Sequence, residues 1–126
     1  KQSGANVILR GEVRDVHTIF NHYDLYIMAS HFEGFSLSVL EAMAMQMPLL
    51  LSDIPSFREQ AAETALYFNL NDVEDCTQKI KSLLADKTLL HKMGLAAKKR
   101  VTDNFTLTHH LQGLRKIYAE ALNERS

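Results

Sequence analysis

The sequence predicts an α/β fold, a Rossmann-like parallel sheet of about four strands with flanking helices and a helical carboxyl-terminal tail. Three observations predict it. Four short apolar runs, "NVILRG", "DLYIMAS", "PLLLSD" and "ALYFN", are rich in β-formers and lack strict alternation, so they read as strands covered on both faces. Helical patterns fall between them, an alternation that implies a parallel sheet with right-handed crossovers. After Asn71, apolar residues recur only at helical spacing.

Taken in order, "NVILRG" is a strand ended at Gly11. "DVHTIFNHY" places Val16, Ile19, Phe20 and Tyr23 on one stripe of a short amphipathic helix with Asp15 as its N-cap. Helices are expected at about 36–46 and 56–62, each between two strands. In "DVEDCTQKIKSLLAD", Val73, Cys76, Ile80, Leu83 and Leu84 share helical spacing and Asp72 is placed to cap the start. Two more helices follow, around Leu90, Met93, Ala97 and Val101, then around Leu107, Leu111, Leu114, Ile117 and Tyr118, so the closing helices span about 72–122. Gly94 and Gly113 fall inside these patterns, each costing roughly 1 kcal/mol against Ala, which weakens the case for uninterrupted helices.

At 126 residues, with 46% apolar and 23% charged residues, one domain over 1–126 with a packed core is expected. A net charge of −1 argues against a general nucleic-acid or membrane-surface binder. The charge is uneven: four Lys and Arg against seven Asp and Glu over residues 1–60, ten against eight over 61–126. "KKR" at 98–100 reads as a solvated helix face. No apolar stretch approaches the ~20 residues that cross a bilayer and no leader opens the chain, so a cytoplasmic protein is expected. The single cysteine, Cys76, has no Cys partner and reads as a small residue on a helix face.

The stretch "HFEGFSLSVLEAMAMQMP" places Glu33 before a glycine-containing turn and Glu41 eight positions on, within a helix. It follows a buried strand directly, which puts it at the carboxyl end of the sheet, where open α/β folds bind ligands. Unpaired amides at a helix start suit a phosphate, Gly34 permits close backbone approach, and Ser36 leaves room beside it. Leu37, Leu40, Ala44 and Met47 share a helical face, with Glu41 about 40° from Leu37 at ~100° per residue, on the border of the buried stripe. A carboxylate there needs donors. "SVLE" from Ser38 to Glu41 fits a capping box, in which the chain's own amide supplies them; ligand hydroxyls are the alternative. Glu33 reads equally as an exposed loop acid, and His31 as a polar loop residue or a base.

"EGFSLSVLEAMAMQMP", with "LRGEV" and "DLYIMAS" upstream and "LSDIPSFRE" and "AAKKRVTDNFTLTHHLQGLRKIY" downstream, resembles the carboxyl-terminal domain of retaining GT-B glycosyltransferases (glycosyl transferases group 1) that carry an E-x7-E signature. The resemblance covers nearly the whole chain in the family's order. It implies that Glu41 holds the ribose hydroxyls of a nucleotide diphosphate sugar and that Glu33, the catalytic acid, lies near the transferred sugar. It further implies that Gly34, Phe35, Ser36 and Leu37 form the substrate-binding turn whose amides face the sugar and diphosphate, with no metal ion and no cofactor beyond the donor substrate. Two departures stand out. Where many members have Gly or another small residue before the x-Pro step, this chain reads Gln46-Met47-Pro48, and the family's amino-terminal acceptor domain and the first strands of this domain are missing. Arg10 and Arg14 do not sit at the family's diphosphate-binding positions.

The resemblance thus implies a partial, nucleotide-sugar-binding GT-B domain, inactive alone, whose full-length enzyme moves a sugar to a glycan or glycolipid acceptor, in the cytoplasm or peripheral to the membrane. Its partners would be the donor, the acceptor and the missing amino-terminal domain in cis, with no nucleic acid. In a sheet of order 3-2-1-4-5-6 the "NVILR" strand would be left beside "DLYIM" with an orphan edge, open to self-association. A non-catalytic module that senses a nucleotide or holds a partner protein is the alternative function, and a remnant that binds nothing is the third.

Overall fold

The structure is a computed structural model that describes residues 4–124. Its centre is a parallel sheet of three strands, β1 (Tyr26–Met28), β2 (Leu49–Ser52) and β3 (Ala65–Phe68), in the order β1-β2-β3. The register sets Ile27 opposite Leu50 and Leu50 opposite Leu66. All four residues of β2 are buried, as a continuous apolar run predicts for a central strand. Successive side chains of a strand point to opposite faces, and β2 divides its leucines accordingly. Leu49 and Leu51 pack with Val39, Met43, Phe57 and Ala97, while Leu50 packs with Phe68, Leu83 and Leu90.

The helices between the strands supply the first of these clusters. A short α1 (His17–Phe20) contributes Phe20, α2 (Leu37–Ala44) contributes Val39, Ala42 and Met43, and α3 (Pro55–Ala61) contributes Phe57 and Ala61. Pro55 stands at the start of α3, where its missing N–H costs nothing. On the other face, α4 (Val73–Leu84) supplies Leu83, and Asp72 caps it by accepting the amide of Asp75 at 3.0 Å, as its sequence predicts. The long α5 (Lys87–Asn104) serves both clusters, with Leu90 in one and Ala97 in the other. It is followed by α6 (Leu107–Asn123), capped by the Thr106 hydroxyl.

The structure corrects four expectations. "NVILRG" forms no strand, so the sheet has three strands among the described residues and its first edge is β1. A strand needs a paired ladder and cover for its apolar side chains, and Val7, Ile8 and Leu9 have neither; they are 71%, 67% and 92% exposed. The cap of α1 is Val16 rather than Asp15, whose backbone carbonyl, not its carboxylate, receives the Thr18 amide. On α2 the buried stripe is Val39, Ala42 and Met43, which leaves Leu37 and Ala44 exposed, while Glu41 stays half-buried at the border of the stripe, as expected. On α4, Val73 points to solvent and Leu84 is exposed, because the buried line runs through Cys76, Ile80 and Leu83. Gly94, by contrast, does not interrupt its helix: α5 runs through it unbroken. Nor does Gly113 interrupt α6, although the apolar stripe of α6 is exposed throughout.

Candidate functional site

The segment from Ser30 to Glu41 leaves β1 at its carboxyl end and enters α2, so the fold delivers it to the edge of the sheet that the sequence indicates. Two buried polar side chains from neighbouring elements fix it there. The hydroxyl of Ser52, wholly buried at the end of β2, donates to the carbonyl of Ser30 at 2.7 Å and accepts the Ser30 amide at 3.0 Å. Ser30 in turn donates its own hydroxyl to Glu33 Oε1 at 3.1 Å. Glu33 is therefore a half-buried carboxylate held from β2 through Ser30, rather than a free loop acid.

Ser36, 6% exposed, is the N-cap of α2 and its hydroxyl accepts the Val39 amide. Of the two readings of Glu41, this removes the capping box that the spacing from Ser38 to Glu41 allows: the helix starts earlier, Ser38 lies inside its first turn, and Glu41 does not reach back to the cap. The Ser36 backbone is held by Gln60 of α3, whose carboxamide accepts the Ser36 amide at 3.2 Å and donates to the Ser36 carbonyl at 2.8 Å. Gln60 is a residue that sequence reading missed. Its position two residues after an Arg in a helical run carries no local signal, and its partner lies 24 residues away.

Gly34, Phe35 and Leu37 are exposed, and their amides take no partner among the described residues. The Leu37 amide, at the first position of α2, carries the partial positive charge of a helix start, and those of Gly34 and Phe35 lie in the turn that leads into it. Glu41 is half-buried on the second turn of α2, and its carboxylate accepts no hydrogen bond among the described residues. It faces Tyr26, whose phenol is pushed above its ordinary value, first by burial and further by the charges of Glu41 and Glu33, against the opposing effect of the Ser38 hydroxyl. Both acids of the pair therefore act on one tyrosine. The arrangement thus brings two half-buried carboxylates to the turn whose Gly34, Phe35 and Leu37 amides are free.

Within the "KKR" run Lys98 and Lys99 are exposed, as a solvated face predicts, and Arg100 alone departs from it. Arg100 is half-buried and donates to the carbonyls of Gln60 and Glu59, both at 2.8 Å. A separate cleft of about 890 Å³ opens at the opposite end of the strands, between Asn21, Tyr23, Gln46, Lys87 and His91, away from the two acids. No helix of the described residues is long and apolar enough to cross a membrane.

Residues 1–100 match the family described as glycosyl transferases group 1. Among curated proteins, the chain is 32% identical over 99 residues to a trehalose synthase of Thermococcus litoralis, covering 79% of this chain and 24% of that protein. It is 30% identical over 120 residues to the lipopolysaccharide core biosynthesis mannosyltransferase LpcC of Rhizobium leguminosarum, covering 94% of this chain and 34% of that protein. Among solved structures, it resembles a glycosyltransferase of Rickettsia africae with a TM-score of 0.79 and 26% identity over 89% of this chain and 31% of that one. It also matches the carboxyl-terminal domain of a glycosyl transferase group 1 protein of Francisella tularensis, with a TM-score of 0.67 and 20% identity over 80% of this chain and 53% of that one. The chain spans about a quarter to a third of the length of these curated relatives. Its three parallel strands, the helices around them and the helical tail are part of a GT-B carboxyl-terminal domain. The chain belongs to the glycosyl transferases group 1 family.

Proposed function

We propose that this chain is the donor-binding part of a retaining glycosyltransferase that moves a sugar from a nucleotide diphosphate sugar to a glycan or glycolipid acceptor. One observation carries the reading. Glu41 is a half-buried carboxylate with no hydrogen-bond donor among the described residues, one helical turn past the free amides of the turn that leads into α2. A half-buried carboxylate is stabilised by donors, and two vicinal ribose hydroxyls supply them together.

In this reading Glu41 grips the ribose, and the amides of Gly34, Phe35 and Leu37 face the diphosphate. They stabilise the negative charge that grows on it as the bond to the sugar breaks. Ser36 shapes the turn from within. Glu33, tethered through Ser30, stands as the acid nearest the transferred sugar. The chemistry asks for no metal ion, because the helix start and its amides serve the leaving diphosphate. The acceptor site would lie on other parts of the enzyme, consistent with the quarter to third of its relatives' length that this chain covers.

The test uses the complete enzyme that carries this chain. Glu41→Ala is expected to weaken binding of the nucleotide sugar, and Glu33→Ala to depress turnover with donor binding retained. Unchanged kinetics in both variants would refute the site. A module that only senses the nucleotide would bind the donor and form no product, so product analysis separates the two functions.

A further inference from the structure

We infer that Gln60 is a positioning residue for the turn from Gly34 to Leu37, set in place by Arg100 from the last turns of α5. The inference rests on the donor-binding reading above and adds to it the part that keeps the turn in shape.

Gln60 lies near the end of α3 and is 1% exposed. Its carboxamide meets the Ser36 peptide on both sides, accepting from the N–H at 3.2 Å and donating to the C=O at 2.8 Å. An amide side chain offers a donor and an acceptor side by side and carries no charge at any ordinary pH. A leucine would fill the same space but leave the buried Ser36 N–H without a partner.

Gln60 is itself anchored. Arg100 donates Nε to the Gln60 carbonyl and Nη2 to the Glu59 carbonyl, so its fork covers the carboxyl end of α3, where a cation is favoured. The same guanidinium lies 5.6 Å from the ring centre of Phe105, and the Phe105 ring lies 5.5 Å from that of Phe35. The contacts thus return to the turn from its other side: Gln60 holds Ser36, Phe105 meets Phe35, and Arg100 touches both Gln60 and Phe105. Of the residues gripped, Phe35 carries one of the free amides and Ser36 lies between the free amides of Phe35 and Leu37. Amides fixed before a ligand arrives need no ordering when it binds, which raises affinity without any added contact.

The experiment compares Gln60→Leu with the parent in the complete enzyme, measuring KM for the nucleotide sugar and for the acceptor, with kcat, at matched folded concentration. The expected result is a donor KM raised roughly tenfold or more with the acceptor KM unchanged, since small misplacements of positioned groups have effects of that order. A merely structural role would lower the folded fraction and leave donor KM at the parent value; that result overturns the inference. Should Gln60→Leu fail to fold, Arg100→Lys keeps the charge and loses the fork, and it too must raise donor KM selectively or the inference falls. Glu41→Ala, run alongside, separates the two claims. If it impairs donor binding while the Gln60 and Arg100 variants do not, the positioning role alone is wrong; if it too has no effect, the donor-site reading fails and takes this inference with it.

Discussion

Gly94, halfway along α5, lies against the backbone carbonyl of Gln46, so closely that a Cβ built on the glycine would run into that oxygen. Gln46 itself stands at φ +63°, just past the end of α2. Its amide bonds to the Met43 carbonyl and that of Met47 to the Ala42 carbonyl, both at 3.0 Å, a Schellman ending with glutamine where glycine is usual. The glycine that looks like a helix breaker in α5 is therefore the notch that receives the end of α2.

Gly94→Ala is expected to lower stability by about 1–3 kcal/mol, because the added methyl meets backbone rather than a side chain able to move aside. Equilibrium unfolding in urea measures it. An unchanged midpoint would mean that the two helices separate at no cost.

Gln46→Gly is expected to act in the opposite direction. Relief of the left-handed conformation, offset by the freedom that glycine gains when unfolded, leaves a stabilisation of about 0.5–1 kcal/mol. A loss of stability in the same unfolding experiment would show that the packing of the Gln46 side chain outweighs the backbone strain.

Ser52→Ala removes the hydroxyl that serves both the amide and the carbonyl of Ser30. Leaving those groups unsatisfied costs about 1–3 kcal/mol. Since Ser30 also holds Glu33, hydrogen exchange at the Ser30 amide is expected to speed up, and in the complete enzyme turnover is expected to fall more than donor binding. Slow, parent-like exchange at Ser30 in the variant would contradict this.

Acid stability is expected to depend on Asp53. The hydrogen bond from Arg58 holds its carboxyl below the usual carboxylate range. The unfolded chain therefore takes up the proton first as pH falls, and the contribution of the pair, present above about pH 4, is lost as pH drops through the lower folded value. The pair is exposed, so the effect is small. Asp53→Asn should differ from the parent at pH 6 and converge with it by about pH 2. A gap that persists at pH 2 would place the effect in packing.

Much of the fold is legible in the sequence because its signals are local and strong. Leu49, Leu50 and Leu51 form an apolar run that is stable only between two covered faces, and both faces are covered here. Asp72 before α4 and the spacing through Cys76, Ile80 and Leu83 likewise need nothing beyond their own neighbours. The run "NVILR" misleads for the same reason: its composition is that of a strand, but a strand is a relation between segments. In the site, Glu33, Gly34 and Glu41 stand out by residue type and spacing, and Ser38 to Glu41 imitates a capping box by spacing alone.

The sequence by itself thus determined the order of the three strands from Tyr26 onward and the helices around them, the parallel sheet and the end of it that carries the two acids, because periodicity and composition act over a few residues. The tertiary structure decided which serine caps α2, which face of α2 is buried, that Glu41 lacks a donor within the chain, and that Gln60, Arg100 and Ser52 brace the turn. Those outcomes depend on groups tens of residues apart meeting within hydrogen-bond distance, and no local pattern encodes such a meeting.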